Sequence, residues 1–217
     1  MKFKITPELG ELVGIIIGDG CLYFSKKFNK YYIEIVGDPR LDRDYFEYIS
    51  YLVEKTLNKK PTIAVRSGGL RLRFYSKEFL EFLIYTLKMP FGKIKGSIIK
   101  IPKKLISNKK EITKKCIRGI ADSDGSLFLA NKKYRLDYPV IEIKSISKNL
   151  MFQLKFLLEK EGFRLGLRRE NRVNCSKVYV LSINGEIMVK KWIEEIGFSS
   201  SKHFNKYSQL PMQLQNI

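Results

Sequence analysis

The chain has 217 residues, 44% of them hydrophobic, which is enough for one large domain or two half-size units that share a core. Its 41 Lys and Arg residues outnumber 22 Asp and Glu residues, and the net charge of +19 predicts a polyanionic partner. The absence of an apolar run of about 18 residues excludes a membrane-spanning helix. Without a signal-peptide apolar segment near the start, we expect a cytoplasmic protein, nucleoid-associated in a prokaryote.

Charge and cysteine content narrow the class of partner but not the activity. The basic residues are spread through strand-like segments rather than along one amphipathic helix, which favours nucleic acid over a membrane surface. Composition alone favours a basic RNA-binding module over a nuclease. Cys21, Cys116 and Cys175 have no metal-binding spacing and are predicted to be small apolar fillers.

The elements, taken in chain order, form the same series twice. Thr6 and Pro7 predict the start of a first helix, and two strand signals, a long helix, two more strands and a closing helix follow. The long helices are expected at Asp44–Leu57 and Asn149–Lys160, the later strands at Thr62–Arg66, Leu70–Tyr75, Phe163–Arg168 and Lys177–Ile183, and the closing helices after the capping residues Ser76 and Asn184.

A repeated motif at the first helix of each series supports a duplication. LVGIIIGDG at residues 12–20 matches IRGIADSDG at residues 117–125, and the strand sequence IEI follows each copy. We therefore expect an α+β protein with two αββαββα repeats that form antiparallel β saddles around a central helix pair. Residues 1–91 and 111–198 would be the repeats, with an extended linker at 92–110 and a loosely held tail at 199–217.

The motif helices are expected to pack closely together. Gly14 and Gly18 in the first copy, and Gly119 and Ser123 in the second, are four residues apart, which places both small residues on one helix face. The helices would then bring their Asp-Gly ends together, with each glycine in a left-handed conformation that stops the helix.

Two aspartates at converging helix ends predict a divalent cation. Asp19 and Asp124 would repel each other and oppose the helix dipoles unless a hard ion, Mg²⁺ or Mn²⁺, binds between them. Such an ion can activate water for phosphodiester hydrolysis. A single Asp-Gly is more simply a helix stop, but two copies in matched contexts favour the metal site.

Both motif copies resemble the LAGLIDADG motif, and the order of elements resembles that fold across nearly the whole chain. Two-motif members of this family are single-chain homing endonucleases, so the resemblance implies a monomer that cuts a long, asymmetric double-stranded DNA site with metal ions. It assigns metal binding and catalysis to Asp19 and Asp124, and adds the backbone carbonyls of Gly18 and Ser123 as ligands. The earlier motif Asp is Ile17 in one copy and Asp122 in the other, which we interpret as a cap or surface residue.

The resemblance also implies a basic residue near the metals. Lys144, which follows the second IEI, has the parity of the DNA-facing side and is the candidate, either as a catalytic group or as a phosphate contact. The first repeat has no lysine there, which predicts chemically unequal half-sites. His203, the only histidine, falls in the expected tail, and Trp192 is assigned to the core.

Strand alternation predicts which side chains face DNA, although a merely solvated face is the simpler alternative for any one of them. The predicted set is Tyr23, Ser25, Lys27, Asn29, Glu34, Arg66, Arg71 and Arg73 in the first repeat, and Lys132, Arg135, Glu142, Arg164, Arg168, Lys177 and Tyr179 in the second, with both Glu residues as acceptors from cytosine.

Two alternatives share this fold. An intron maturase would bind intron RNA to assist splicing, and a non-catalytic regulator would bind DNA through the same saddle. Both would tolerate loss of the acidic pair, and the presence of both Asp residues favours the endonuclease. The chain also lacks the Cys start and His-Asn end of an intact intein, so we expect a free-standing protein.

Overall fold

The computed structural model describes residues 3–25, 27, 30–92, 95–106, 110–132, 135–171 and 177–208. The first series consists of α1 (Pro7–Gly18), β1 (Gly20–Ser25), β2 (Lys30–Gly37), α2 (Arg43–Leu57), β3 (Thr62–Arg66), β4 (Gly69–Phe74) and α3 (Lys77–Glu81), which continues as one π-helical turn, Phe82–Thr86. The second consists of α5 (Lys110–Asp124), β5 (Gly125–Lys132), β6 (Arg135–Ser145), α6 (Lys148–Lys160), β7 (Leu165–Glu170), β8 (Val178–Asn184) and α7 (Glu186–Glu195).

The predicted α+β architecture is confirmed. Each series forms one four-stranded antiparallel sheet, with the orders β1-β2-β4-β3 and β5-β6-β8-β7. One face of each sheet carries apolar side chains, including Ile33 and Ile35 in β2 and Ile141 and Ile143 in β6, and is covered by helices. The opposite face, here called the outer face, carries Glu34 and Glu142 at matched positions. Trp192 is fully buried, as predicted.

Local capping explains most of the helix starts. The hydroxyls of Thr6, Ser76 and Ser147 accept hydrogen bonds from the backbone amides three residues later, which satisfies otherwise orphaned donors in the first helical turn. The expected cap at Asn184 is wrong, because Asn184 ends β8 and Gly185, at φ 88°, occupies the cap position without a side-chain bond.

The glycines of the central helices allow the backbones of α1 and α5 to touch. A Cβ on Gly14 would lie 2.1 Å from the carbonyl oxygen of Cys116, and one on Gly119 would lie 2.4 Å from that of Glu11. Gly10 continues the same face of α1, since its Cβ would lie 2.8 Å from the carbonyl oxygen of Ile112. Any larger side chain at these positions would push the two helices apart.

The glycines after the two motif aspartates have a different role from the one expected. Neither Gly20 nor Gly125 has a positive φ. Instead, a Cβ on Gly20 would lie 2.6 Å from Cα of Ile16, and one on Gly125 would lie 2.2 Å from the carbonyl oxygen of Ala121. These positions need glycine because the strand leaves directly against the last turn of its own helix.

The segment expected to be an extended linker is partly helical and packed against the second series. It contains α4 (Lys95–Ile98) and a 3₁₀ turn, Lys103–Leu105. Ile99, Ile101 and Leu105 are buried, the Ser147 hydroxyl donates to the Ile99 carbonyl at 2.6 Å, and the side chain of Gln153 bonds both backbone groups of Ile101. Apolar residues within a basic segment thus attach it to α6.

The expected loose tail is also corrected for its first ten residues. Residues 201–208 form α8, in which His203 is buried, and the backbone amides of Ser199 and Ser200 donate to the Asp122 carboxylate at 3.0 to 3.2 Å. Asp122 is therefore a fully buried capping group rather than a surface residue. Residues 209–217 lie outside the described part of the chain.

The cysteines differ from one another. Cys116 is buried at the contact between α1 and α5, where burial raises the pKa of its thiol to about 12, and it is the small apolar filler expected. Cys21 is exposed on the outer face of the first sheet, which contradicts that assignment. Cys175 lies outside the described residues. No described helix is long and apolar enough to cross a bilayer.

Candidate functional site

The two motif aspartates lie at the ends of the touching helices. Asp19 is the C-cap residue directly after α1, where its amide donates to the Ile15 carbonyl at 3.0 Å, and Asp124 is the last residue of α5. A Cβ on Gly18 would lie 2.4 Å from Cβ of Ser123 and 3.3 Å from Oδ2 of Asp124. The Asp124 carboxylate therefore lies directly against the residue that precedes Asp19.

A cavity of about 300 Å³ opens beside Asp124. Its lining includes Gly18, Lys144 and Val178, together with Gly96 and Ile99 from the segment between the two series. Sequence reasoning predicted Lys144 here and missed Gly96 and Ile99. Their only signal was a small residue and an apolar residue inside a basic segment, a pattern that many loops share.

The carboxylates of Asp19 and Asp124 are the acidic donors that the motif places at this end of the helices. Within the described ranges, no group of three or more His, Cys, Asp or Glu side chains is placed to hold a metal ion. The oxygen donors that the motif offers are the carboxylates of Asp19 and Asp124 and the backbone carbonyls of Gly18 and Ser123. Such a set suits a hard cation that keeps further positions for water and phosphate oxygens.

The outer face of the first sheet is aromatic and basic. Tyr23 stacks on Tyr32 with ring centroids 4.8 Å apart, and the guanidinium of Arg73 lies 4.3 Å from the Tyr32 ring centroid. Arg66, Arg71 and Arg73 line a pocket on this face around Glu34. These residues share the face of the sheet that carries Glu34, as the strand alternation predicted. Tyr32 was missed, although it has the same strand parity as Glu34.

The second sheet has a sparser outer face. Arg168 pairs with Glu142, Arg164 is exposed just before β7, and Phe128 is partly exposed in β5. Lys132 and Arg135 are register partners at the far end of β5 and β6, and only their backbone is described. In the first repeat, Ser25 ends β1, Lys27 is in the following turn, and Asn29 lies outside the described residues.

Tyr179 of β8, which was predicted to face DNA, is on the wrong face. Glu142 pairs with Ser182 and Arg168 with Val180, so the even-numbered residues of β8 belong to the outer face. Tyr179 alternates with them and packs against the core on the helix-covered side, and Lys177 shares its parity. The strand boundary gave no means of choosing between the two parities, because Val178 and Val180 are as apolar as the core residues Leu181 and Ile183.

A buried polar network joins the central helices to the segment before α8. Glu11, 1% exposed, accepts from Arg118 at 2.6 and 3.0 Å, from the Tyr48 hydroxyl at 3.0 Å and from the Ser199 hydroxyl at 2.6 Å. Burial raises the pKa of Asp122 to about 7, against the opposing effect of the two amides that it accepts from. Sequence reasoning missed this network because its members are far apart in the chain.

Comparison with known proteins identifies part of the chain directly. Residues 111–197 match the family model described as LAGLIDADG-like domain. The second repeat is a LAGLIDADG-like domain. The fold of the whole chain is the two-repeat LAGLIDADG fold, because the structure of I-DmoI in complex with DNA and Mn covers 90% of this chain and 99% of its own, with a TM-score of 0.64 at 21% identity.

Other similar proteins extend this result. The LAGLIDADG meganuclease I-AabMI, solved bound to uncleaved DNA, superimposes with a TM-score of 0.57 at 15% identity and covers 97% of this chain and 96% of its own. An uncharacterised protein of Methanocaldococcus jannaschii is 24% identical over 94% of this chain and 72% of its own length. The ATP-dependent DNA helicase Hel308 of the same organism is 28% identical over 43% of this chain, which is 8% of that helicase.

Proposed function

We propose that this LAGLIDADG-fold protein is a site-specific endonuclease that hydrolyses both strands of duplex DNA. The observation that carries the proposal is the meeting of Asp124 with Gly18, next to Asp19, at the glycine-tightened end of α1 and α5. This end adjoins both sheets, since β1 begins at Gly20 and β5 at Gly125, and the outer faces carry Arg66, Arg71 and Arg73 in the first sheet and Arg168 in the second. Acidic groups that can hold a metal ion, next to cationic faces that can bind phosphate, suit metal-assisted phosphodiester hydrolysis.

The donor set fits a divalent metal. Asp19 and Asp124 would hold Mg²⁺ or Mn²⁺ with the carbonyl oxygens of Gly18 and Ser123, and the DNA would complete the ligand sphere through its phosphate oxygens. The bound ion would lower the pKa of water and stabilise charge on the phosphate. I-DmoI has been solved in complex with DNA and Mn and with DNA and Ca, which supports divalent metal here.

Lys144 is the proposed basic residue of the site. Its side chain is half-buried beside the cavity that Asp124 lines, and its ammonium lies 3.1 Å from Oε2 of Glu142. An ammonium at this position can stabilise phosphate charge on one strand. In the first repeat Val36 occupies the position that corresponds to Lys144, since each follows its IEI strand sequence, so the two strands would meet unequal chemistry.

The substrate we propose is a long, asymmetric double-stranded site bound by a monomer. Two sheets with unlike outer faces would contact two unlike half-sites, and both reside in one chain. Arginine pairs in a bidentate manner with guanine and also binds phosphate, so Arg66, Arg71, Arg73 and Arg168 could contribute to both affinity and sequence choice. I-AabMI bound to uncleaved DNA supports duplex DNA as the ligand.

The direct test compares the wild type with Asp19→Asn and Asp124→Asn. Each chain is incubated with Mg²⁺ and a plasmid library that carries randomised inserts, and cleaved sites are recovered by sequencing. We expect the wild type to cut a defined site, and both variants to bind that site with cleavage reduced at least about 100-fold, because each loses a metal ligand. Wild-type binding without cutting would contradict the enzyme and leave a non-catalytic DNA-binding protein.

A further inference from the structure

Two carboxylates are buried among the cations of the outer faces. Glu34 and Glu142, the central residues of the two IEI sequences, are each 7% exposed. A reader of cytosine would need a carboxylate that is free to accept from the base edge. Both carboxylates instead have protein cations on each oxygen.

In the first sheet, two arginines of β4 hold Glu34. Arg71 donates through Nη1 to Oε1 at 2.8 Å, and Arg73 donates through Nε and Nη2 to Oε2 at 2.9 and 2.5 Å. Burial raises the pKa of Glu34, but the hydrogen bonds from Arg73 and Arg71 outweigh that effect and hold it below its ordinary value. Glu34 is therefore charged and fully engaged.

In the second sheet, the corresponding carboxylate has partners from different strands. Arg168 of β7 donates through Nη1 to Oε1 of Glu142 at 2.8 Å, and the ammonium of Lys144, which is in β6 with Glu142, lies 3.1 Å from Oε2. Arg168 also donates to Glu170 at 2.8 Å. The two repeats have thus kept the buried carboxylate and changed the residues that neutralise it.

We propose that Glu34 and Glu142 are specificity-determining positioning residues, which hold the outer-face cations on protein carboxylates and thereby weaken binding to DNA of the wrong sequence. The inference rests on the proposed function, because it concerns how the same DNA interface discriminates among sites. It replaces direct reading of cytosine as the role of these two residues.

The physical basis is the difference between phosphate binding and base binding. Non-specific affinity comes from cations that neutralise phosphates and release counterions. A cation that leaves Glu34 to reach a phosphate strands a buried negative charge, which is costly. An arginine that keeps its carboxylate on one edge is held in a fixed orientation, and its remaining N–H groups can still meet a guanine at one defined position.

The two carboxylates should differ in what they control. Glu34 holds only arginines, so its loss should act on binding and on the choice of sequence. Glu142 holds Lys144, which lines the cavity beside Asp124, so its loss should also change the rate of cleavage of one strand. Arg168 would keep Glu170 as a partner, which limits the effect of Glu142→Gln on non-specific binding.

The experiment measures binding of a randomised duplex and of the site that the wild type selects from such duplexes by binding alone, across a range of salt concentrations and without divalent metal. We expect Glu34→Gln to bind the randomised duplex about 5-fold more tightly, with a salt slope steeper by roughly one, while affinity for the selected site changes less than about twofold. The ratio of specific to non-specific affinity should therefore fall.

The matched control is Glu8→Gln, which makes the same change in charge at the opposite end of α1, where Glu8 pairs with Lys55 at 2.8 Å. A second variant, Glu34→Asp, keeps the charge but shortens the carboxylate, and should give a smaller change in the same direction. Equal effects of Glu34→Gln and Glu8→Gln on the randomised duplex would overturn the proposal. The proposal would also be overturned if Glu34→Gln lost affinity for the selected site and this loss disappeared when one C·G pair of the site was changed, since that would indicate direct reading of the base.

These are binding measurements, so their result is separable from the proposed function. A chain that never cuts DNA, but loses discrimination in Glu34→Gln, would refute the endonuclease and support the role of the carboxylate. A chain that cuts a defined site, and whose discrimination is unchanged in Glu34→Gln, would support the endonuclease and refute the role of the carboxylate.

Discussion

Single residues at the contact between α1 and α5 determine how closely the motif aspartates approach. The backbone of Cys116 occupies the space that a side chain on Gly14 would need, and Glu11 does the same for Gly119. These glycines are costly in a helix, by about 1 kcal/mol each relative to alanine. The cost is offset by an approach of the two helices that places Asp124 against Gly18.

Gly14→Ala should destabilise the protein and reduce its activity together. The new Cβ would lie 2.1 Å from the Cys116 carbonyl oxygen, so the helices must separate, with an expected loss of at least about 2 kcal/mol in the free energy of unfolding. Urea denaturation measures the loss. Gly69→Ala is the control, because its Cβ would meet Val36 at 3.4 Å, an ordinary contact, and a similar loss there would contradict the steric explanation.

His203 is a residue whose burial should appear as a pH effect. Burial, followed by the charge of Lys202, lowers the pKa of His203 from 6.5 to about 4, and neither ring nitrogen has a hydrogen-bond partner among the described residues. A lowered folded-state pKa means that the unfolded chain binds the proton more tightly. The stability that the neutral ring contributes is present above pH 6.5 and is lost as the pH falls toward 4.

The test replaces the imidazole of His203 with an aromatic ring that contains no nitrogen. His203→Phe keeps an aromatic ring next to Phe198, whose centroid is 4.4 Å away. Relative to the wild type, the variant should gain stability as the pH falls through this window, by on the order of 3 kcal/mol, measured by urea denaturation at several pH values. Asp122, whose pKa is raised to about 7, should change the pH dependence of the stability of the wild type and of the variant by the same amount. Parallel pH profiles for the two proteins would show that His203 does not titrate on unfolding.

At the scale of elements, segments outside the two repeats support the site. The residues that precede α8 bind Asp122 of α5 through two amides and Glu11 of α1 through the Ser199 hydroxyl, and Lys202 in α8 lies 3.1 Å from Asp42. The segment that contains α4 contributes Gly96 and Ile99 to the cavity beside Asp124. Both segments therefore restrain the end of α5 that carries the catalytic candidate.

Asp122→Ala should release α8 from the central helices. Loss of the carboxylate leaves the amides of Ser199 and Ser200 without their acceptor in a buried position. Amide hydrogen exchange in residues 201–208 should become at least about 10-fold faster, while β2 and β4 keep their protection. Glu159→Ala, which removes an exposed partner of Lys155 in α6, provides the comparison and should leave α8 unchanged. Unchanged exchange in α8 would mean that other contacts hold it.

At the scale of the whole molecule, the pseudo-symmetric fold carries unequal halves. The sheets have the same strand order, yet the first has Arg71 and Arg73 around its buried carboxylate and the second has Lys144 and Arg168. In the second half Lys144 lines the cavity beside Asp124, whereas Val36 occupies the corresponding position of the first half. In the proposed endonuclease, two half-sites that differ in this way should not cleave their strands at equal rates.

Lys144→Met should slow the cleavage of one DNA strand more than that of the other. Labels on the two strands allow each nick to be followed separately, and the rate for one strand should fall at least about 10-fold while binding weakens only slightly. Val36→Met changes the corresponding position of the first repeat and should affect neither rate strongly. Equal slowing of both strands by Lys144→Met would indicate a general phosphate contact rather than a role in one active site.

The sequence by itself determined the series of elements, the duplication and the central helix pair. Strand alternation, helical periodicity and capping residues are local signals, which is why the bounds of β3 and α2 were predicted to within one residue. The motif copies at residues 12–20 and 117–125 likewise predicted the acidic pair, because the residues of each copy belong to one helix or follow it directly.

Only the tertiary structure decided the features that depend on distant residues. The face on which Tyr179 lies follows from the pairing of β8 with β6, and the partners of Glu34 are two arginines of β4. Neither feature is encoded in the strand that contains the residue. Burial of Asp122 and His203 depends on α8 returning to α5 across more than half of one repeat. Local sequence specifies which side chains a segment can bury, and long-range packing specifies what covers them. This is why the acidic pair was predictable, whereas the partners of Glu34 and the burial of Asp122 and His203 were not.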